Sequence, residues 1–138
     1  MLENFDETTP FILIARIRVK PQFLAEYIEL AKITDQKVMD KEPGMLHHTF
    51  DQDPDDKYSF TWSEVYKNDA AFADHLSNSD IGVYLEEHDR MGEKFTVEVY
   101  GTVGAECLEL MKSTKLPLKV YNSVLGYSRV GKESFWCF

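Results

Sequence analysis

The 138-residue chain lacks any apolar run close to the roughly 20 residues that a membrane-spanning helix requires. Its first residues are acidic and no apolar stretch follows a basic one, so neither a membrane anchor nor a secretion signal is expected. Cysteine is scarce as well. Cys107 and Cys137 have no His or Cys at a metal-binding spacing, which favours reduced thiols in a cytoplasmic protein.

Basic side chains are also few, since 15 Lys and Arg stand against 24 Asp and Glu and leave a net charge of −9. Phosphate binding needs clustered positive charge, so no nucleic-acid partner is expected. The sequence contains no glycine-rich phosphate loop, no dinucleotide fingerprint and no nucleophile motif. Its four histidines follow no metal-ligand spacing. These absences predict a protein with no bound cofactor and no metal.

Hydrophobic residues make up 43% of the chain and aromatic residues 13%, which is typical of one folded domain with a sizeable core. The strand and helix periods of its apolar residues predict the order β-α-β-β-α-β. The predicted strands span 11–20, 45–51, 58–66 and 95–103, and the helical segments span 21–39, 68–76 and 80–88. This order predicts an α+β, ferredoxin-like fold with an antiparallel sheet.

Helices on one face of such a sheet leave the other face bare, and a second copy is the simplest cover. The sequence therefore predicts a homodimer. The predicted divisions are an N-terminal segment at 1–10, the domain at 11–101, and an extension at 102–138 with a helix at 105–113 and strands at 118–121 and 125–130. Because residues 135–138 are apolar, the extension is expected to pack on the domain or on the partner subunit.

The third predicted strand carries the clearest candidate pocket residues. Its alternation places Phe60, Trp62, Glu64 and Tyr66 on one face. If this face points at the helices, Glu64 lies among three aromatic rings, and desolvation would make its carboxylate a candidate proton carrier. The alternative is a structural role, in which Glu64 hydrogen-bonds a backbone amide or a cross-strand partner.

Histidines supply the candidate bases. His88 lies on the apolar stripe of its predicted helix, one turn after Tyr84, where a neutral imidazole can take a proton from a phenol or an activated C–H. His75 is predicted either to anchor a polar ligand group or to cap a helix end. His48 is predicted to reach the pocket or the interface between two sheets. A hydrogen-bonded core residue is the alternative interpretation of His88.

Several short motifs resemble the antibiotic-biosynthesis-monooxygenase (ABM) family. They are Ile14-Ala15-Arg16-Ile17-Arg18-Val19-Lys20-Pro21, Glu42-Pro43-Gly44-Met45-Leu46, Asp53-Pro54, Glu64-Val65-Tyr66 and His75-Leu76. Their order and spacing agree with the family over about residues 11–101 and not over the extension. The resemblance implies a dimeric α/β barrel, in which two four-stranded sheets face one another and each subunit keeps a pocket between its sheet and its helices.

Function follows less directly from the resemblance, because a fold does not fix its chemistry. The family includes cofactor-independent oxygenases of aromatic compounds, quinol oxygenases, haem-degrading enzymes, an isomerase and members without known activity. Haem degradation is disfavoured, since Ala15 and Arg16 stand where haem-degrading members have Asn, and Tyr66 stands where they have Trp.

The leading interpretation is a cofactor-independent monooxygenase that acts on a small aromatic or quinol-type compound. His88 and His75 are its predicted catalytic residues, and Phe60, Trp62, Glu64, Tyr66, Tyr84 and His48 line its predicted substrate pocket. Two alternatives stay open, which are a non-catalytic dimeric protein that binds a small ligand or responds to stress, and an isomerase that uses the same pocket.

Overall fold

A five-stranded sheet with helices on one face forms the protein in this computed structural model, which describes residues 5–130. The strands are β1 (Phe11–Val19), β2 (Met45–Asp53), β3 (Asp56–Tyr66), β4 (Gly92–Tyr100) and β5 (Leu118–Tyr121). They lie in the order β2-β3-β1-β4-β5, in which β5 runs parallel to β4 and all other neighbours are antiparallel. The predicted α+β, ferredoxin-like fold is confirmed, with a fifth strand added at the β4 edge.

Four helices accompany the sheet within residues 5–130. They are α1 (Leu24–Lys41), which a short 3-10 turn (Pro21–Phe23) precedes, α2 (Asp69–Ser77), α3 (Ser79–Met91) and α4 (Ala105–Ser113). The Asn68 side chain caps α2 by accepting a hydrogen bond from the Ala71 amide. Asn78 caps α3, because its side-chain oxygen accepts from the Asp80 amide.

The inner face of the sheet follows the predicted alternation. On β1 the inward side chains are at most 5% exposed, and they are Phe11, Leu13, Ala15, Ile17 and Val19. The inward residues of β3 pair directly with them, so that Tyr66 lies opposite Phe11 with stacked rings 5.1 Å apart. Since side chains alternate between faces with a period of two, one strand register decides which side chains meet the helices.

The buried stripe of α1 leaves out one apolar residue and includes a polar one. Ile28 is 44% exposed, whereas Thr34 is buried. The stripe runs through Tyr27, Ala31, Thr34 and Val38, which are spaced by four, three and four residues. This spacing follows the helical period of about 3.6 residues, and Ile28 lies beside the stripe.

The extension contains two of the predicted elements. Helix α4 and strand β5 have the predicted bounds. The strand predicted at 125–130 does not form, since this stretch joins no ladder, Gly126 has φ +119°, and Leu125 and Tyr127 are exposed. The apolar segment 135–138, and with it Cys137, lies outside the described residues. No helix between residues 5 and 130 is both long and apolar enough to cross a membrane.

Gly101 ends β4 in a backbone conformation that other residues rarely adopt, with φ +148°. A Cβ added there would lie 2.5 Å from the Cβ of Phe11, well inside contact distance. Its amide donates a hydrogen bond of 3.0 Å to the Tyr121 carbonyl. Glycine is therefore needed where the domain passes into the extension.

Candidate functional site

A cavity of about 70 Å³ lies between the inner face of the sheet and the helices. Every strand and every helix contributes to its wall. The lining residues are Leu13, Ala15, Thr34, His48, Trp62, Glu64, Tyr66, Phe72, His75, Leu76, Ile81, Tyr84, Leu85, Phe95, Val97, Met111, Thr114, Leu116 and Leu118. Most of these side chains are apolar, so the few polar ones stand in a water-poor setting where their interactions are strong.

The extension supplies one side of this wall. Met111 of α4, the turn residues Thr114 and Leu116, and Leu118 of β5 all line the cavity. Strand β5 holds them in place by pairing with β4 from Val97 to Tyr100. The resemblance to the ABM family did not cover this segment, and the sequence did not indicate that it would border the pocket.

His48 and Asp35 form a hydrogen-bonded pair at the polar side of the cavity. The Nδ1 of His48 lies 2.8 Å from Oδ1 of Asp35 on α1, and the imidazole stacks on Trp62 with 4.5 Å between ring centroids. A carboxylate only accepts, so Nδ1 carries a hydrogen, and in the neutral imidazole Nε2 has the lone pair. This Nε2 lies 3.9 Å from Oε2 of Glu64, which is too far for a direct hydrogen bond. With His48 neutral both atoms accept, so a water can donate to both and a hydroxyl to one of them.

Glu64 receives a hydrogen bond from its neighbour on the same face of β3. The hydroxyl of Tyr66 donates to Oε1 of Glu64 over 2.6 Å, and both side chains are buried. Burial and the adjacent Glu64 charge raise the pKa of Tyr66 well above its usual value, so the phenol keeps its proton and remains a donor. The second carboxylate oxygen of Glu64, Oε2, is the one nearer to His48.

His75 of α2 is held by a buried carboxylate. Its Nδ1 lies 2.8 Å from Oε1 of Glu42, and Asn78 donates to the other oxygen of Glu42 at the same distance. Burial alone would lower the pKa of His75, but the bond to Glu42 and the negative charges of Glu64 and Glu42 outweigh it and raise that pKa. Burial would likewise raise the pKa of Glu42, but the hydrogen bonds from His75 and Asn78 and the positive charge of His75 together outweigh it and lower that pKa.

These shifts favour a charged His75–Glu42 pair beside the cavity. His75 is only 8% exposed, so it does not act as the surface cap that was one of its two predicted roles. Its ring also meets Tyr66 edge-on at 5.7 Å. The cavity therefore has two imidazoles held by different carboxylates, His48 by Asp35 and His75, which favours the protonated form, by Glu42.

Two of the predicted site residues lie outside the cavity wall. His88 is buried on α3, but its Nδ1 is bonded to the Tyr27 hydroxyl at 2.7 Å and its ring packs edge-on against Phe95. Its ring packs against Gly92, where α3 ends and β4 begins, one helical turn after Tyr84. Phe60 stacks on Phe50 at 4.5 Å and does not border the cavity either.

The other six predicted residues are brought together at the cavity, namely His75, Trp62, Glu64, Tyr66, Tyr84 and His48. Sequence reasoning missed Asp35 and Glu42, which hold the two imidazoles. Asp35 is half-exposed on α1 next to the buried stripe, and Glu42 belongs to the Glu-Pro-Gly segment that ends α1. No group of three His, Cys, Asp or Glu side chains within residues 5–130 is arranged to hold a metal ion.

A ferredoxin-like sheet with a mostly apolar pocket under its helices defines the class of this small α+β protein. Residues 10–87 match the sequence model of the antibiotic biosynthesis monooxygenase family. This match spans more than half of the chain, and the protein belongs to that family.

Similar proteins agree with this assignment at the level of the fold. MupZ from Pseudomonas fluorescens has a TM-score of 0.68 and 18% identity, over 88% of this chain and 95% of its own. A protein from Bacteroides thetaiotaomicron, named provisionally as an antibiotic biosynthesis monooxygenase, has a TM-score of 0.61 and 24% identity, over 64% of this chain and 85% of its own.

Sequence similarity extends to an uncharacterized protein, sll1783, from Synechocystis sp. The two chains are 27% identical over 92 residues, which make up 66% of this chain. The aligned part spans 62% of the length of the Synechocystis protein. The match to MupZ, by contrast, covers enough of this chain to include most of the extension.

Proposed function

We propose that the protein is an oxygenase that inserts one oxygen atom of O₂ into a small phenol or quinol-type compound without a bound cofactor. The reducing electrons come from the substrate itself. His48 is the proposed base and His75 the proposed cation that stabilises the resulting anion. The apolar wall excludes water from the reacting atoms.

In the first step His48 Nε2 takes the hydroxyl proton of the substrate, and Asp35 holds Nδ1–H so that the lone pair faces the cavity. The phenolate is electron-rich and forms a carbon–oxygen bond with O₂, and the resulting peroxide anion takes back the proton from His48 to give a hydroperoxide. Loss of water from the hydroperoxide leaves a quinone. The substrate loses two hydrogens and gains one oxygen, and the second oxygen atom leaves as water, so that O₂ takes up four electrons.

One observation carries the proposal, which is the 3.9 Å separation of His48 Nε2 and Glu64 Oε2 in a mostly apolar cavity. A substrate hydroxyl donates its one hydrogen to Nε2, and a water or a second hydroxyl donates to Glu64 Oε2. The charged His75–Glu42 pair adds support, because a cation beside a desolvated site stabilises a developing oxyanion. The aromatic walls, Trp62 and Tyr66, match a flat substrate.

Oxygen consumption tests this proposal. The purified protein, in buffer with a chelator, is mixed with a panel of hydroquinones and dihydroxynaphthalenes in an oxygen electrode, and heat-denatured protein measures autoxidation. We expect saturable, protein-dependent uptake of one O₂ per molecule of at least one compound. Absence of such uptake over the whole panel contradicts the oxygenase function.

The same panel distinguishes two alternative functions. Hydrogen–deuterium exchange into a substrate C–H without oxygen uptake would indicate proton transfer alone, as in an isomerase that uses the same histidines. Saturable binding without exchange or uptake would indicate a ligand-binding protein, in which Glu64 and the histidines have a structural role.

We also propose that the protein forms a dimer, in which the bare faces of the two sheets pack against each other. The helices of residues 5–130 lie against the other face, and Ile12 on the bare side is 45% exposed. Tyr100 and Tyr121 stack there at 4.7 Å, beside the Arg16–Glu98 ion pair. Light scattering is expected to give the mass of a dimer at micromolar concentration, and a monomer would contradict this assembly.

A further inference from the structure

A chain of four hydrogen-bonded side chains runs from the cavity wall to His88. The indole Nε1 of Trp62 donates to the hydroxyl of Tyr84 over 2.9 Å. The hydroxyl oxygens of Tyr84 and Tyr27 lie 2.5 Å apart, and the Tyr27 oxygen lies 2.7 Å from Nδ1 of His88. All four side chains are at most 6% exposed. Trp62 and Tyr84 line the cavity, and the proposed oxygenase gave Tyr27 and His88 no role.

The chemistry of its two ends fixes the direction of this chain. The indole of Trp62 can only donate, so the Tyr84 oxygen accepts at one end. At the other end the backbone of Lys94 acts on the His88 ring, and since Tyr27 engages Nδ1, we assign the ring hydrogen to Nε2. A neutral imidazole carries one hydrogen, so its Nδ1 accepts from Tyr27.

The neutral form of His88 is the favoured one, because burial lowers its pKa and the facing groups do little to oppose this. Asp89 on its own helix is the charged group that acts on it, and the side chains packed on it from α1 and β4 are Tyr27 and Phe95. Burial likewise raises the pKa of Tyr27, so this phenol stays protonated as the donor to His88.

Because the Tyr27 hydroxyl donates its hydrogen to His88, the hydrogen bond between the two tyrosines uses the Tyr84 hydrogen, which the Tyr27 oxygen accepts. The hydroxyl of Tyr84 then has no hydrogen left for the cavity. Its oxygen accepts from Trp62 and keeps one lone pair, so Tyr84 can offer a ligand an acceptor and not a donor.

We propose that Tyr84 selects ligands that present a hydrogen-bond donor, because His88 and Tyr27 hold the Tyr84 hydroxyl hydrogen away from the cavity. This inference rests on the proposed ligand site and adds the kind of group that the site accepts. A phenolic or quinol hydroxyl donates a hydrogen bond to the Tyr84 oxygen. An ether or a quinone carbonyl has no hydrogen to donate, so its oxygen and the Tyr84 oxygen repel each other. The hydroxyl-bearing substrate is retained and its carbonyl product is released.

Two probes of nearly equal shape test the inference. 4-Fluorophenol has a hydroxyl donor, and 4-fluoroanisole carries a methyl ether in its place. Binding of each to the full-length protein is followed by ¹⁹F NMR at pH 8, and the measured quantity is the ratio of the two dissociation constants. His48 and Glu64 also favour a hydroxyl, so the change of this ratio between variants is diagnostic rather than its value in the wild type.

The decisive variant is Tyr27→Phe, which does not border the cavity. It frees the Tyr84 hydrogen to point at the ligand, so the preference for 4-fluorophenol is expected to fall by roughly two- to tenfold, the effect of one hydrogen bond. A merely structural effect would weaken both probes alike and leave the ratio unchanged. Tyr100→Phe removes a hydroxyl from the bare face of the sheet and is expected to leave the ratio at its wild-type value.

A measurement on the unliganded protein tests the assigned direction itself. The ¹⁵N chemical shifts of the His88 ring at pH 8 are expected to show a hydrogen on Nε2 and none on Nδ1. A hydrogen on Nδ1, or an unchanged probe ratio in Tyr27→Phe, overturns the inference and leaves the ligand site standing. Absence of binding of either probe to the wild type overturns the ligand site, and with it both the inference and the proposed function.

Discussion

Replacing His48 by glutamine is expected to lower kcat of the proposed oxygenation about 10²- to 10⁴-fold, the usual contribution of a general base. Glutamine keeps a polar side chain of similar length but takes up no proton at neutral pH. Asp35→Asn is expected to give a smaller loss, because Asp35 orients the imidazole through Nδ1 and does not touch the substrate. The measurement is oxygen uptake at saturating hydroquinone, together with the melting temperature of each variant.

His47 provides a matched control for this experiment. It precedes His48 on β2 and points to the opposite face, where its side chain is exposed. His47→Gln therefore makes the same chemical change one residue away and is expected to keep the wild-type rate. A His48→Gln protein that folds normally and turns over at the rate of His47→Gln would show that His48 is not the base.

Replacing Gly101 by alanine is expected to lower the free energy of unfolding by about 2–6 kcal/mol. Backbone strain at a φ of +148° contributes about 1–3 kcal/mol. The contact of the added Cβ with Phe11, which is buried in the core, contributes a further 1–3 kcal/mol, roughly the usual cost of overpacking. Urea denaturation monitored by tryptophan fluorescence measures the change.

Gly82 supplies the control with the opposite sign. It is exposed in the middle of α3, and a Cβ added there would meet no atom within 4 Å. Gly82→Ala is expected to raise the free energy of unfolding by about 0.5–1 kcal/mol, because alanine favours the helix over glycine. Equal effects of the two substitutions would refute the conformational requirement at Gly101.

The fold was predictable to the extent that it depends on local periodicity. The alternation of β1 and β3 identified the inward faces, and the bounds of α4 and β5 followed from short apolar patterns. That β5 pairs in parallel with β4 was not predictable, because the partner of a four-residue strand depends on contacts between distant parts of the chain. The failed strand at 125–130 has the same cause, since apolar composition alone supplies no neighbouring strand.

The part of the candidate site that lies on the sheet was predictable. Glu64 and Tyr66 share a face by strand alternation, and their hydrogen bond follows from that placement. The partners of the histidines were not predictable, since Asp35 and Glu42 lie 13 and 33 residues from His48 and His75. His88 was correctly predicted on the buried face of its helix. The helical period shows which side chains face inward, but it does not show how far along the helix the cavity extends.

The wall formed by α4, the following turn and β5 joins the rest of the chain through the single connection after Gly101. Its residues Met111, Leu116 and Leu118 line part of the cavity, and β1 and β3, inside the sheet, line another part with Leu13, Ala15, Trp62, Glu64 and Tyr66. This part of the wall carries neither His48 nor His75, the proposed base and the proposed cation. Substitutions at its three positions can therefore reshape the cavity while the proposed catalytic side chains stay in place.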